Sequence, residues 1–122
     1  MIGYITLGTN DLAAASAFYD ELLAEMDAAR VIETDRLIVW TTAPGASMLG
    51  VCIPHDGGEA TVSNGGMTAL AAGSKENVDK LHARALALGG SDEGAPGERM
   101  PGFYGGYFRD LDGNKLVAFY ME

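Results

Sequence analysis

At 122 residues, with 48% apolar and 20% charged side chains, the chain has the size and composition of one globular domain with one core. Seventeen acidic residues against eight basic ones give a formal charge of −9, and the Lys and Arg residues are scattered singly, which argues against nucleic acid and membrane surfaces as partners. No apolar run reaches the ~20 residues of a bilayer span, the first residues lack the basic region of a secretion signal, and a lone Cys52 rules out an intrachain disulfide, so the cytoplasm is the expected location.

Residues 2–9 alternate as a strand, and Asn10 or Asp11 then offers a helix N-cap. Leu12, Ala15, Phe18, Tyr19, Leu22, Leu23 and Met26 recur at three- and four-residue steps, one apolar helical face. Strands follow at 30–34, 36–42 and 48–53, with a turn at Ala43-Pro44-Gly45-Ala46. Two breaker clusters, Asp56-Gly57-Gly58 and Asn64-Gly65-Gly66, make 55–66 a connector between a first module (1–54) and a second (67–122). The second module reads as a strand at 67–72, an N-cap at Ser74, and a helix over 75–88 stopped by Gly89-Gly90. Residues 91–102 hold at best one short irregular strand. The chain closes on strands at 103–110 and 115–121 around Asp112-Gly113-Asn114, a good hairpin turn.

Sliding the chain by 63 residues superposes Tyr4 on Met67, Ala15 on Val78, Phe18 on Leu81 and Leu22 on Ala85, and the closing hairpins match at a shift of 68. An internal duplication of a βαβββ unit is the simplest account. Leu7-Gly8-Thr9-Asn10-Asp11-Leu12 running into Ala17-Phe18-Tyr19-Asp20, together with Phe108-Arg109-Asp110-Leu111-Asp112-Gly113-Asn114, resembles the vicinal-oxygen-chelate superfamily of glyoxalases, bleomycin-resistance proteins and extradiol dioxygenases. The resemblance covers essentially the whole chain. It implies an α+β fold of two tandem βαβββ modules, a cup-shaped mixed sheet with helices on its convex side, and a homodimer.

It also implies where a divalent metal would be held: on the opening and closing strand of each module. Those positions fall on Tyr4, on Met67, on Val117, and on Leu49 or Gly50. A neutral phenol, a thioether and aliphatic side chains are not ligands for a hard divalent metal, so no metal and no cofactor are expected.

Among the remaining residues, His55 follows the last strand of the first module and is the one weak candidate for a general acid or base. His82, three residues after Asp79 on the second helix, reads as a surface residue making a local ion pair. Cys52, between Val51 and Ile53, reads as a small buried hydrophobe. Arg109 reads as structural, pairing with a carboxylate near the hairpin. Asp110, Asp112 and Asn114 are accounted for by turn chemistry. The large side chains best placed to meet a ligand are Tyr4, Trp40, Met67, Phe103, Tyr104 and Tyr107, with Val117 from the former metal position, and glycines 105 and 106 mark a close approach on that strand.

The reading that follows is a metal-free member binding a small apolar or aromatic molecule. Two others stay open: a lyase, isomerase or dioxygenase with a displaced metal or a metal-free mechanism, and a structural or regulatory dimer with a filled cup.

Overall fold

The elements, in a computed structural model that describes all 122 residues, are β1 (Tyr4–Gly8), α1 (Leu12–Ala24), β2 (Ala29–Glu33), β3 (Leu37–Thr41), β4 (Met48–Cys52), β5 (Thr68–Ala71), α2 (Lys75–Ala87), β6 (Ser91–Met100), β7 (Phe103–Arg109) and β8 (Lys115–Met121). They fall into two compact modules, residues 1–61 and 62–122, dividing inside the connector. Each module holds one four-stranded sheet, ordered β1-β4-β3-β2 in the first and β5-β8-β7-β6 in the second. In both, the opening strand runs parallel to the closing strand and the remaining pairs are antiparallel. The tandem βαβββ architecture is therefore present.

The first module is built around α1. Asp11 caps it, its Oδ1 accepting the Ala14 N–H at 3.0 Å. The apolar stripe buries Ala15, Phe18, Tyr19, Leu22 and Leu23 against β2, β3 and β4. Full burial of each large side chain contributes ~1.5–3 kcal/mol, so this stripe stabilises the module together with the Ile38, Trp40 and Val51 side chains of the strands. The helix ends with Asp27 in the left-handed region (φ 58°), while the Ala28 N–H reaches back to the Leu23 carbonyl at 3.1 Å. Glycine is the usual residue there, and an Asp can stand in for it because its short polar side chain tolerates that conformation. Asn10 ties the middle of the connector to the β1–α1 corner: its Oδ1 accepts the Ala60 N–H at 2.7 Å and its Nδ2 donates to the Ala60 carbonyl at 3.2 Å.

The second module repeats the plan. Ser74 Oγ accepts the Asn77 N–H at 3.1 Å, and α2 buries Val78, Leu81, His82 and Ala85. Gly89 (φ 102°) turns the chain out of the helix. Gly90 then passes so near β7 that a side chain there would meet the Arg109 carbonyl at 2.6 Å.

One element departs from the sequence reading. Residues 91–102, expected to hold a short irregular strand at most, contain the ten-residue strand β6. Gly94, Pro96 and Gly97 obscure its alternation. The strand is an edge, paired only with β7, and its register slips three times along that pairing. An edge strand tolerates Pro and irregularity that an interior strand would not.

Candidate ligand-binding faces

Alternation along each strand divides a sheet into a face under the helix and a face away from it. In the first module the face away from α1 carries Tyr4 and Thr6 of β1, with Met48, Gly50 and Cys52 beside them on β4. Leu37, Val39 and Thr41 of β3 continue it. Tyr4 is 62% exposed there. A side chain at Gly50 would come within 3.2 Å of Val39 and 3.3 Å of Leu37, so these two side chains lean over the bare glycine. At the end of this face an open, mainly apolar hollow of about 620 Å³ is lined by Ala29, Val31, Thr41, Pro44 and Met48, with Asp27 its only charged residue.

In the second module the corresponding face carries Phe103, Gly105, Tyr107 and Arg109 of β7 opposite Met121, Phe119, Val117 and Lys115 of β8. Phe103 and Phe119 stack, with centroids 5.6 Å apart and planes 3° from parallel. A side chain at Gly105 would lie 3.0 Å from Phe103 and 3.2 Å from Val117, so the glycine is what lets these side chains gather. Val117 is fully buried, leaving Phe103, Tyr107 and Phe119, each partly exposed, as the aromatic surface. Two cations flank the Tyr107 ring: the Arg99 guanidinium at 5.4 Å and the Lys115 ammonium at 5.6 Å from its centroid.

Two of the expected ligand-facing aromatics lie on the other side. Trp40 is buried against α1, where it packs on Tyr19 (5.8 Å between centroids) and donates its indole N–H to Asp20 Oδ1 at 2.9 Å. Its neighbours Val39 and Thr41 take the helix-free face, so the pleat sends Trp40 into the core. Tyr104 likewise faces α2, its hydroxyl donating to Asp79 Oδ1 at 2.6 Å while Lys75 Nζ lies 5.7 Å from its ring centroid. That bond to Asp79 holds the Tyr104 phenol above its ordinary pKa, with burial adding to the effect. Met67 precedes β5 and is half exposed.

The positions implied for a metal do not suit one. Strand register decides between Leu49 and Gly50: Gly50 pairs with Thr6 on the helix-free face as Val117 pairs with Ala69, whereas Leu49 points to α1. The closing strands thus correspond at a shift of 67, one less than the hairpin turns suggest. Tyr4 and Gly50 in one module, and Met67 and Val117 in the other, supply no carboxylate or imidazole. No three His, Cys, Asp or Glu side chains come together anywhere in the chain in a way that could hold a metal ion.

His55 is exposed in the turn after β4. His82 is not a surface residue: it is 6% exposed, and its partner is Asp92 of β6 (Nε2 to Oδ1 2.9 Å), not Asp79. The ring fits beneath β7, where a side chain on Gly106 would press on it at 3.2 Å. Asp92 is held below the usual carboxylate range, first by the Gly94 N–H and then by His82. Cys52 is partly buried on the helix-free face of its sheet. Arg109 pairs with Glu93 at 2.6 Å and donates to the Gly113 carbonyl at 2.8 Å, a carboxylate and a hairpin contact as expected. Asp110 Oδ1 accepts the N–H groups of Asp112 (3.0 Å) and Asn114 (2.9 Å), which closes the turn. Arg99 and Lys115 were not singled out in the sequence. Lys115 shares parity with Tyr107 across the hairpin, a signal that was legible; Arg99 lies in the stretch whose strand was hidden.

A sequence profile described as Glyoxalase/Bleomycin resistance protein/Dioxygenase superfamily matches residues 1–118. A glyoxalase/bleomycin resistance protein from Albidiferax ferrireducens T118 is 34% identical, with TM-score 0.92 over 100% of this chain and 99% of that one. A glyoxalase/bleomycin resistance protein/dioxygenase family enzyme from Burkholderia phytofirmans PsJN is 22% identical (TM-score 0.78, 98% of each chain) and shares the fold. A lactoylglutathione lyase from Agrobacterium tumefaciens is 25% identical (TM-score 0.73, 98% of this chain and 92% of that one). No curated protein matches the sequence. With the profile spanning nearly the whole chain and the paired βαβββ modules in place, this protein belongs to the glyoxalase/bleomycin resistance protein/dioxygenase superfamily.

Proposed function

We propose that this chain is a metal-free member of its superfamily that binds a small apolar or aromatic molecule on the helix-free side of its sheets, as a cytoplasmic homodimer. The observation that carries the reading is the partly exposed aromatic group Phe103, Tyr107 and Phe119, gathered around Gly105. Aromatic rings beside a bare stretch of backbone offer a flat ligand both contact area and room. The metal positions contribute only Tyr4, Gly50, Met67 and Val117, so the shared chemistry of the superfamily's metalloenzymes has no donors here. Exposed Ile2, Tyr4, Val31 and Ile32 in the first module are the support for dimerisation.

The test is thermal unfolding of untagged protein against two panels, divalent Ni, Zn, Mn and Fe, and small aromatic compounds, with sedimentation velocity to read the mass. The expected result is no shift with metals, a rise in Tm with at least one aromatic, and a dimer. A metal purified at one per chain, or no shift with any aromatic, overturns the ligand reading, and a monomer overturns the dimer.

A further inference from the structure

The basic residues of this acidic chain are mostly answered by nearby oxygens. Arg30 grips Asp20 and Glu33, Lys75 approaches Glu122, Arg109 pairs with Glu93, and Arg36 donates to the Pro54 carbonyl. Arg99 and Lys115, like Arg36, have no carboxylate within salt-bridge distance, although acidic residues outnumber basic ones 17 to 8. Both are directed instead at one ring, that of Tyr107.

The Arg99 guanidinium lies over two bare glycines: a side chain at Gly97 would meet its Nη1 at 2.9 Å, and one at Gly94 its Nη2 at 3.2 Å. It is anchored by a hydrogen bond to the Ala95 carbonyl. Lys115 reaches the same ring from β8, on the same face of the sheet. The ring's negative face attracts each cation only weakly at such exposure and neutralises neither one. Two cations on one ring, next to a stacked pair of phenylalanines, are complementary to a molecule with a flat apolar body and one anionic end.

We infer that the ligand of the second module is a small aromatic or apolar acid, its carboxylate held by Arg99 and Lys115 beside Tyr107. This rests on the proposed ligand-binding role and names the class of ligand. The guanidinium offers paired donors to a carboxylate and the ammonium a point charge, while the ligand body lies against Phe103 and Phe119.

The experiment is calorimetric titration of the full chain at neutral pH with matched acids and amides: benzoate and benzamide, phenylacetate and phenylacetamide, cinnamate and cinnamamide. At least one acid is expected to bind about tenfold more tightly than its amide, a gap that narrows at high salt. Arg99→Gln and Lys115→Gln should each remove most of that gap while leaving Tm near wild type. Equal affinities for every acid and its amide, or a preference for acids that survives the double variant, would overturn the inference and leave the aromatic-binding role standing. No binding by any of the six compounds would overturn both.

Discussion

The indole N–H of Trp40, on β3, donates to Oδ1 of Asp20, on α1, at 2.9 Å. The same carboxylate takes two bonds from Arg30 of β2, Nε to Oδ1 at 2.8 Å and Nη2 to Oδ2 at 2.7 Å. One side chain therefore fastens the helix of the first module to two strands beneath it. Trp40 is 2% exposed while the Asp20 side chain is 41% exposed, so the carboxylate meets the indole N–H at the edge of the core.

Asp20→Ala is accordingly expected to destabilise the protein by ~1 kcal/mol, the net loss of hydrogen bonds at a partly exposed carboxylate. Urea unfolding followed by tryptophan fluorescence measures it directly, because Trp40 is the chain's only tryptophan. Arg30→Ala, which leaves the indole bond intact, should cost less. An Asp20→Ala midpoint equal to wild type would show that the bond contributes nothing net.

Stability should fall on the acid side through two carboxyls. Asp20 titrates below its usual 3.8 chiefly because Arg30 donates to its charged form, with burial opposing and Trp40 adding a further bond. Asp92 is lowered by the Gly94 N–H and by His82. A folded-state pKa below the unfolded value gives stability that is complete above the unfolded pKa and is lost as pH falls through the folded one. The urea midpoint should therefore change little through these groups between about pH 7 and pH 5 and drop below about pH 4, with a shallower drop in Asp20→Asn.

The two neighbouring tyrosines of β7 should behave oppositely. Tyr104 faces α2 and holds Asp79, so Tyr104→Phe is expected to lower the urea midpoint slightly and leave aromatic-ligand affinity unchanged. Tyr107 faces away from the helix beside both cations, so Tyr107→Ala should abolish measurable binding of the aromatic acids. Calorimetry on both variants with a binding acid, alongside their unfolding curves, checks this. A binding defect in Tyr104→Phe with wild-type stability would reverse the assignment of the faces.

Much of the first level of structure was legible from residue order. Asp11 and Ser74 are N-caps, the stripes Ala15–Phe18–Leu22 and Val78–Leu81–Ala85 are buried, and the closing strand runs over Lys115–Met121, because caps, helical period and turn chemistry act over a few residues. The duplication was legible too, since the apolar pattern survives at a shift of 63. β6 was not, because its pairing with β7 supplies from outside the order that Gly94, Pro96 and Gly97 withhold locally.

The sequence by itself determined the family, the two βαβββ modules and which residues stand at the superfamily's metal positions, all of which depend on which residue types occur at which spacing. Only the tertiary structure decided which face each aromatic takes. A one-residue step reverses a strand side chain, so Trp40 and Tyr104 went to the helices while Phe103 and Tyr107 stayed on the other side. It also decided the partners of charged groups far apart in the chain. His82 met Asp92 in place of Asp79, and Arg99 and Lys115 came together at Tyr107, because sheet register rather than sequence distance brings those groups into reach.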